Sequence, residues 1–207
     1  ILNGVETNRF LDAERRDLRR EYGLLEDIFL IGFLGRFMSP KGFRYLIEAL
    51  AELKKRNDLP KKPMVLCFGM KDGFYREDME EARRKGLSDS ILLLPFVADV
   101  ASTLKGLDVI AIPSLWEACP LLPMEAMVAG TPVIGTNCVG LREVLMDTPA
   151  SVVPVRDSLA LSEALISEMQ NPSTAKMRGF AMKAAVRFEV ADRAAELERL
   201  MLKYLKH

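Results

Sequence analysis

The chain has 207 residues, enough for one α/β domain with a full core, and its 49% hydrophobic and 28% charged residues exclude a disordered chain. Lysine plus arginine number 29, as do aspartate plus glutamate, so no broad basic field exists to hold nucleic acid. The three cysteines, Cys67, Cys119 and Cys138, are odd in number and lack C-x-x-C spacing, which excludes a disulfide framework and argues against zinc.

The chain opens on Ile1 without an initiator methionine and is expected to be a piece of a longer protein. Residues 7–22 are densely charged and predict a solvated surface helix with mixed ion pairs. Short apolar runs follow at 28–34, 64–68, 91–94, 109–112, 132–135 and 151–155. Most lack polar alternation, as parallel strands buried on both faces do. Helical patterns lie between them. Leu46, Ile47, Leu50 and Leu53 mark one apolar face, and further helices are predicted at 75–85, 98–104, 123–129, 141–145 and 158–169. From residue 172 onward the periodicity is helical only, with a break near 188–191. No apolar run is long enough to cross a bilayer, and the one at 91–97 is interrupted by Pro95. The only histidine is the last residue, His207, either native or the start of a tag, so the chain offers no ordinary histidine base.

This succession predicts a Rossmann-like α/β fold, a doubly wound parallel sheet of about six strands with a helical tail. The expected division is a lead-in at 1–27, a parallel core at 28–171 and a tail at 172–207. Ligands of such sheets sit beyond the carboxyl ends of the strands, where strand order reverses. Two strand-to-helix loops carry unusual chemistry. After 28–34 comes Gly35-Arg36-Phe37-Met38-Ser39-Pro40-Lys41-Gly42, where Ser39 reads as an N-cap and Pro40 as the first helical residue. Lys41 then lies in a first helical turn, unfavourable for a cation unless an anion binds there. Arg36 and Lys41, free amides and small Gly35 and Gly42 suit a diphosphate. The dinucleotide fingerprint G-x-G-x-x-G and the P-loop are both missing from this loop. The second loop runs from Pro113 to Met127 and holds Glu117 and Glu125, seven residues between them. With a helix starting between the two, both carboxylates are expected to border one pocket and accept from sugar or ribose hydroxyls.

In this order and spacing the residues resemble the retaining GT-B glycosyltransferases called glycosyl transferases group 1. The resemblance rests on Asn3-Gly4-Val5 with Phe10, Gly35-Arg36 with Lys41-Gly42, Phe96-Val97, Leu107-Asp108-Val109 and Pro113-Ser114. It continues through Glu117 to Glu125, Ala129-Gly130-Thr131-Pro132, Gly140 and Glu143-Val144. It implies the donor-binding, C-terminal domain of a hexosyltransferase-type enzyme that moves a sugar from a UDP-, GDP- or ADP-linked donor to a glycan or lipid-linked acceptor. The acceptor would be bound by a missing N-terminal domain, on which the tail packs, and the fragment would be inactive without it. Arg36 and Lys41 would bind the diphosphate, Glu125 the ribose, and Glu117 the transferred sugar. Amides of Cys119, Leu121 and Leu122 would reach the sugar and distal phosphate, and the base would lie near Phe96 and Val97. The resemblance implies no cofactor, no metal and no nucleic acid partner. It places the enzyme in the cytoplasm, in polysaccharide, glycolipid or glycoprotein assembly, with peripheral membrane contact made through the missing half. The chain departs from the family at Glu117-Ala118-Cys119-Pro120, where E-G-F-G is usual, and Pro120 removes one N–H. It departs again at Val97, where glycine is common. A nucleotide-binding module without catalysis, a nucleotide-sugar epimerase of similar architecture, and a starch or glycogen synthase are the competing readings.

Overall fold

A computed structural model describes residues 1–69 and 72–205; the reading of His207 falls outside them. Six strands, β1 (Ile28–Leu34), β2 (Lys62–Phe68), β3 (Ile91–Leu94), β4 (Val109–Ile112), β5 (Val133–Thr136) and β6 (Ser151–Val153), form one sheet. Their order is β3-β2-β1-β4-β5-β6, and every pair is parallel. The ten helices among the described residues are α1 (Thr7–Leu11), α2 (Leu18–Glu21), α3 (Phe43–Lys54), α4 (Tyr75–Arg84), α5 (Val100–Gly106), α6 (Leu122–Ala129), α7 (Leu141–Leu145), α8 (Ser158–Gln170), α9 (Thr174–Phe188) and α10 (Val190–Tyr204).

The sheet is apolar on both faces because it is covered on both. Alternate residues of β1 separate cleanly: Phe29, Ile31 and Phe33 pack with the face of α3 and α8, and Ile28 and Leu30 with that of α5, α6 and α9. The chain lays down β1, β2 and β3 in one direction, then crosses through α5 to put β4 on the other side of β1. The carboxyl ends of β1 and β4 are therefore neighbours whose following loops diverge, which opens a crevice between them. The predicted doubly wound sheet and helical tail are both present. None of the described helices is long and apolar enough to cross a membrane.

Two local expectations need correction, and a third holds. Residues 7–22 do not form one solvated helix but two short ones. The Lys105 ammonium takes the carbonyls of Leu11 and Ala13 at 2.7 and 2.6 Å, drawing them away from helical bonding, and Asp17 starts α2 afresh by accepting from the Arg20 amide at 3.1 Å. Nor is the segment all surface, since Phe10, Leu18 and Arg19 are buried. Ser39 does not cap a helix: Ser39–Lys41 is a single 3-10 turn, and α3 begins after Gly42 at φ 67°. A Cβ on Gly42 would stand 2.0 Å from the Pro113 carbonyl, and the Leu115 amide donates to the Pro40 carbonyl at 2.7 Å. The loop after β4 thus presses on the turn and prevents it from running on as helix. The break near 188–191 is real, and the lead-in chain makes it. The Val5 amide donates to the Phe188 carbonyl, the Val190 amide donates to the Val5 carbonyl, and Gly4 lies so close that a Cβ would stand 2.5 Å from Val190 Cα.

Candidate functional site

The loop after β1 is anchored by Phe37, which is buried against Phe43 and Tyr75 with edge-on rings 4.9 and 5.4 Å apart. That anchor leaves Arg36 on the open side and Lys41 on the crevice side. The Arg36 guanidinium is exposed and donates to Asp72 at 2.5 Å, so the two predicted diphosphate cations do not converge on one point. Gly35, at φ 148°, has open space where a Cβ would stand.

Lys41 and Glu117 meet. The ammonium donates to both oxygens of the Glu117 carboxylate, at 2.9 and 3.0 Å. Glu117 is only 8% exposed, so it is not a solvated loop carboxylate, while the neighbouring Trp116 faces solvent. Ser114 accounts for the burial: its hydroxyl donates to Glu117 Oε1 at 2.7 Å, and its own carbonyl accepts from the Thr136 hydroxyl of β5. The Glu117 backbone is fixed as well. Its amide donates to the Val139 carbonyl at 3.1 Å, and Gly140, at φ 82°, passes so close that a Cβ would stand 2.1 Å from the Glu117 carbonyl.

A cavity of about 190 Å³ lies against this cluster, lined among others by Lys41, Ser114, Glu117, Pro120, Leu121 and Leu122. Glu125 does not line it, contrary to the expectation of one shared pocket. It sits in the first turn of α6, where burial holds its carboxyl above the usual range against the opposing pull of Arg9. Among the described residues no side chain caps the start of α6, so its first amides remain available to a ligand. Cys119 is a free thiol whose Sγ accepts from the Asn3 amide at 3.2 Å, and its carbonyl accepts from the Asn3 side chain at 2.8 Å. Phe96 is 75% exposed beyond the end of β3, and Val97 packs partly on the core.

Sequence reasoning gave no role to Ser114, Thr136, Asn3 or Asp72. Asn3 and Ser114 stood inside recognised motifs, which was the available signal. Nothing marked Asp72 or Thr136, whose importance arises from contacts 36 and 22 residues away along the chain.

The comparisons with known proteins bear on the family and the fold. The family described as glycosyl transferases group 1 matches residues 28–171. A D-inositol 3-phosphate glycosyltransferase of Paenarthrobacter aurescens is 34% identical over 149 residues, covering 70% of this chain and 36% of that enzyme. The chain therefore spans little more than a third of that relative's length. Among solved structures, the HepE protein of Anabaena in complex with UDP-glucose superposes with a TM-score of 0.83 at 20% identity, over 97% of this chain and 56% of that one. The C-terminal domain of a glycosyl transferase group 1 family protein from Francisella tularensis has a TM-score of 0.71 at 23% identity, over 89% of this chain and 97% of that domain. Both structures show a shared fold, here one half of the GT-B architecture. The match over the whole parallel core, together with the relative's identity, assigns this chain to the glycosyl transferases group 1 family.

Proposed function

We propose that the chain is the donor-binding domain of a retaining glycosyltransferase, which transfers a sugar from a nucleoside-diphosphate sugar to a glycan or lipid-linked acceptor. The observation that carries this reading is the Lys41–Glu117–Ser114 cluster beside a cavity, at the place where the sheet reverses its strand order. The UDP-glucose held by the fold relative from Anabaena supports it.

In this reading Lys41 turns from Glu117 and Arg36 from Asp72 toward the donor diphosphate. Cleavage of the bond between sugar and phosphate builds negative charge on the leaving oxygen, and two cations in a water-poor crevice stabilise that charge as it grows. The uncapped amides at Leu121 and Leu122, with that of Cys119, receive the distal phosphate and sugar, and Gly35 admits the diphosphate without bulk. Glu117, held by Ser114 after Lys41 leaves, accepts from hydroxyls of the transferred sugar. Glu125 accepts from the ribose, and the base lies over Phe96 and Val97. No enzyme nucleophile is assigned, and the cations do the electrostatic work with no metal in the scheme. Residues 1–27 and 172–207 form the lead-in and tail. The exposed Leu197, Leu200, Met201 and Leu202 of α10 are the surface that an acceptor-binding half would cover. We place the site of action in the cytoplasm, with membrane contact made through that other half.

Thermal unfolding against UDP, GDP, ADP and NAD tests the site. One nucleoside diphosphate at a hundredfold excess over its Kd adds about 2.7 kcal/mol, and Lys41→Ala and Glu125→Ala remove the effect. Stabilisation by NAD, or retention of the effect in both variants, overturns the assignment. Retention of configuration is read from the anomeric signal of the product made by the full-length parent.

A further inference from the structure

The amino ends of β4 and β5, opposite the crevice, carry a second concave feature. A cavity of about 490 Å³ opens there, with Leu107, Val128 and Pro132 among its walls. Three cations from separate segments line it: Arg15 between α1 and α2, Lys105 on α5, and Arg178 on α9. Lys105 is partly buried, and its ammonium is held by two carbonyls, those of Leu11 and Ala13, with no carboxylate at ion-pair distance among the described residues. An ammonium has three donors, so one remains for a ligand. Arg15 and Arg178 are exposed, and among the described residues neither has a hydrogen-bond or ion-pair partner.

The surrounding charges do not cancel this cluster. Asp108 also lines the cavity, but its charge is paired with Arg19, and the same oxygen, Oδ2, accepts from the Leu30 amide. Asp12 acts on Lys105 through space without touching it. Burial lowers the pKa of Lys105, Asp12 pulls it up, and the like charge of Arg178 pushes it down again. An anion between these groups would remove that repulsion. Two guanidinium forks match phosphate oxygens better than a single carboxylate, and the apolar walls have room for an organic group beyond the phosphate.

We propose that this cavity binds a phosphomonoester, with Arg15 and Arg178 gripping the phosphate and Lys105 donating from the inner wall. The phosphate comes either from a small phosphorylated molecule or from an anionic lipid headgroup. The site lies at the opposite end of the strands from Lys41 and Glu117, so the inference stands independently of the function proposed for them.

The test is calorimetry of the 207-residue chain at low salt with glycerol phosphate, and flotation with phosphatidylcholine vesicles carrying phosphatidic acid. The chain is compared with Lys41→Ala and with the double variant Arg15→Ala, Arg178→Ala. Binding of either probe is expected, unchanged in Lys41→Ala and at least tenfold weaker in the double variant. Ala181→Glu, which sets a carboxylate in the cavity wall, should weaken it similarly. Glycerol phosphate binding assigns a soluble ligand, and vesicle binding alone assigns a headgroup. Because both arginines are exposed, an unfolding midpoint unchanged by the double substitution shows that the loss is local. Silence with both probes, binding that survives the double substitution, or binding abolished by Lys41→Ala overturns the proposal.

Discussion

Two ion pairs tie together the same two central strands, one at each end, and they are built differently. At the amino end, Arg19 pairs with Asp108 just ahead of β4; its guanidinium also donates to the Ile28 carbonyl at 2.7 Å, and Asp108 accepts from the Leu30 amide at 2.7 Å. Both charges are thus bonded into the β1 backbone. At the carboxyl end, Lys41 and Glu117 are held through side chains, by each other and by Ser114, beside a cavity. Breaking the first pair strips bonds from the fold. Lys41, by contrast, can exchange its partner for a ligand while Ser114 still donates to one oxygen of Glu117. A pair bonded to backbone serves stability, and a pair bonded to side chains beside empty space can serve binding.

The contrast is sharpest in Arg19→Ala, which strands the Asp108 carboxylate and should cost about 3–5 kcal/mol, read as a lower urea midpoint at unchanged slope. Nucleotide binding by the fraction that remains folded should persist. Gly140→Ala attacks the other end through the backbone. Its Cβ meets the Glu117 and Ala118 carbonyls at 2.1 and 2.6 Å, so Glu117 must move; the strain should cost about 1–3 kcal/mol, and stabilisation by nucleoside diphosphate should vanish. Lys41→Ala should lose about 1–3 kcal/mol, since it frees one oxygen of the buried Glu117 while Ser114 still donates to the other, yet abolish that ligand effect. Should Lys41→Ala destabilise as much as Arg19→Ala, the division between the two ends is wrong.

The smallest effect concerns a carboxylate with neither kind of partner among the described residues. Asp78 on α4 is raised to about 6, by burial first, with Arg44 pulling down and Glu77 pushing up. Because the folded value is the higher one, its contribution to stability is complete below the ordinary carboxylate pKa and is lost as pH rises through about 6. Asp78→Asn should therefore raise Tm by about 2–4 °C above neutral pH, the equivalent of about 1 kcal/mol after allowance for its partial exposure, and leave it unchanged near pH 4. A pH-independent difference would show that the amide acts by packing and not by charge.

The sheet was legible because each strand is a short apolar run buried on both faces, and that burial leaves a local mark in the residues themselves. Glu117 and Glu125 were legible as a spacing, and α6 does start between them, at Leu122. That only Glu117 borders the cavity was hidden, because it depends on how α6 sits against the ends of β1 and β4. The single helix expected at 7–22 failed for a related reason: its break is made by Lys105, more than ninety residues on, whose ammonium takes two of its carbonyls.

Composition and periodicity by themselves determined the α/β class, the strand positions and the two loops where a ligand would sit, since each is written in residues close together in the chain. Tertiary structure alone decided which charges meet. Arg36 faces Asp72, Lys41 faces Glu117, and Arg19 faces Asp108. Strand order brings these partners together across 36, 76 and 89 residues, and local sequence carries no record of a contact formed over such distances.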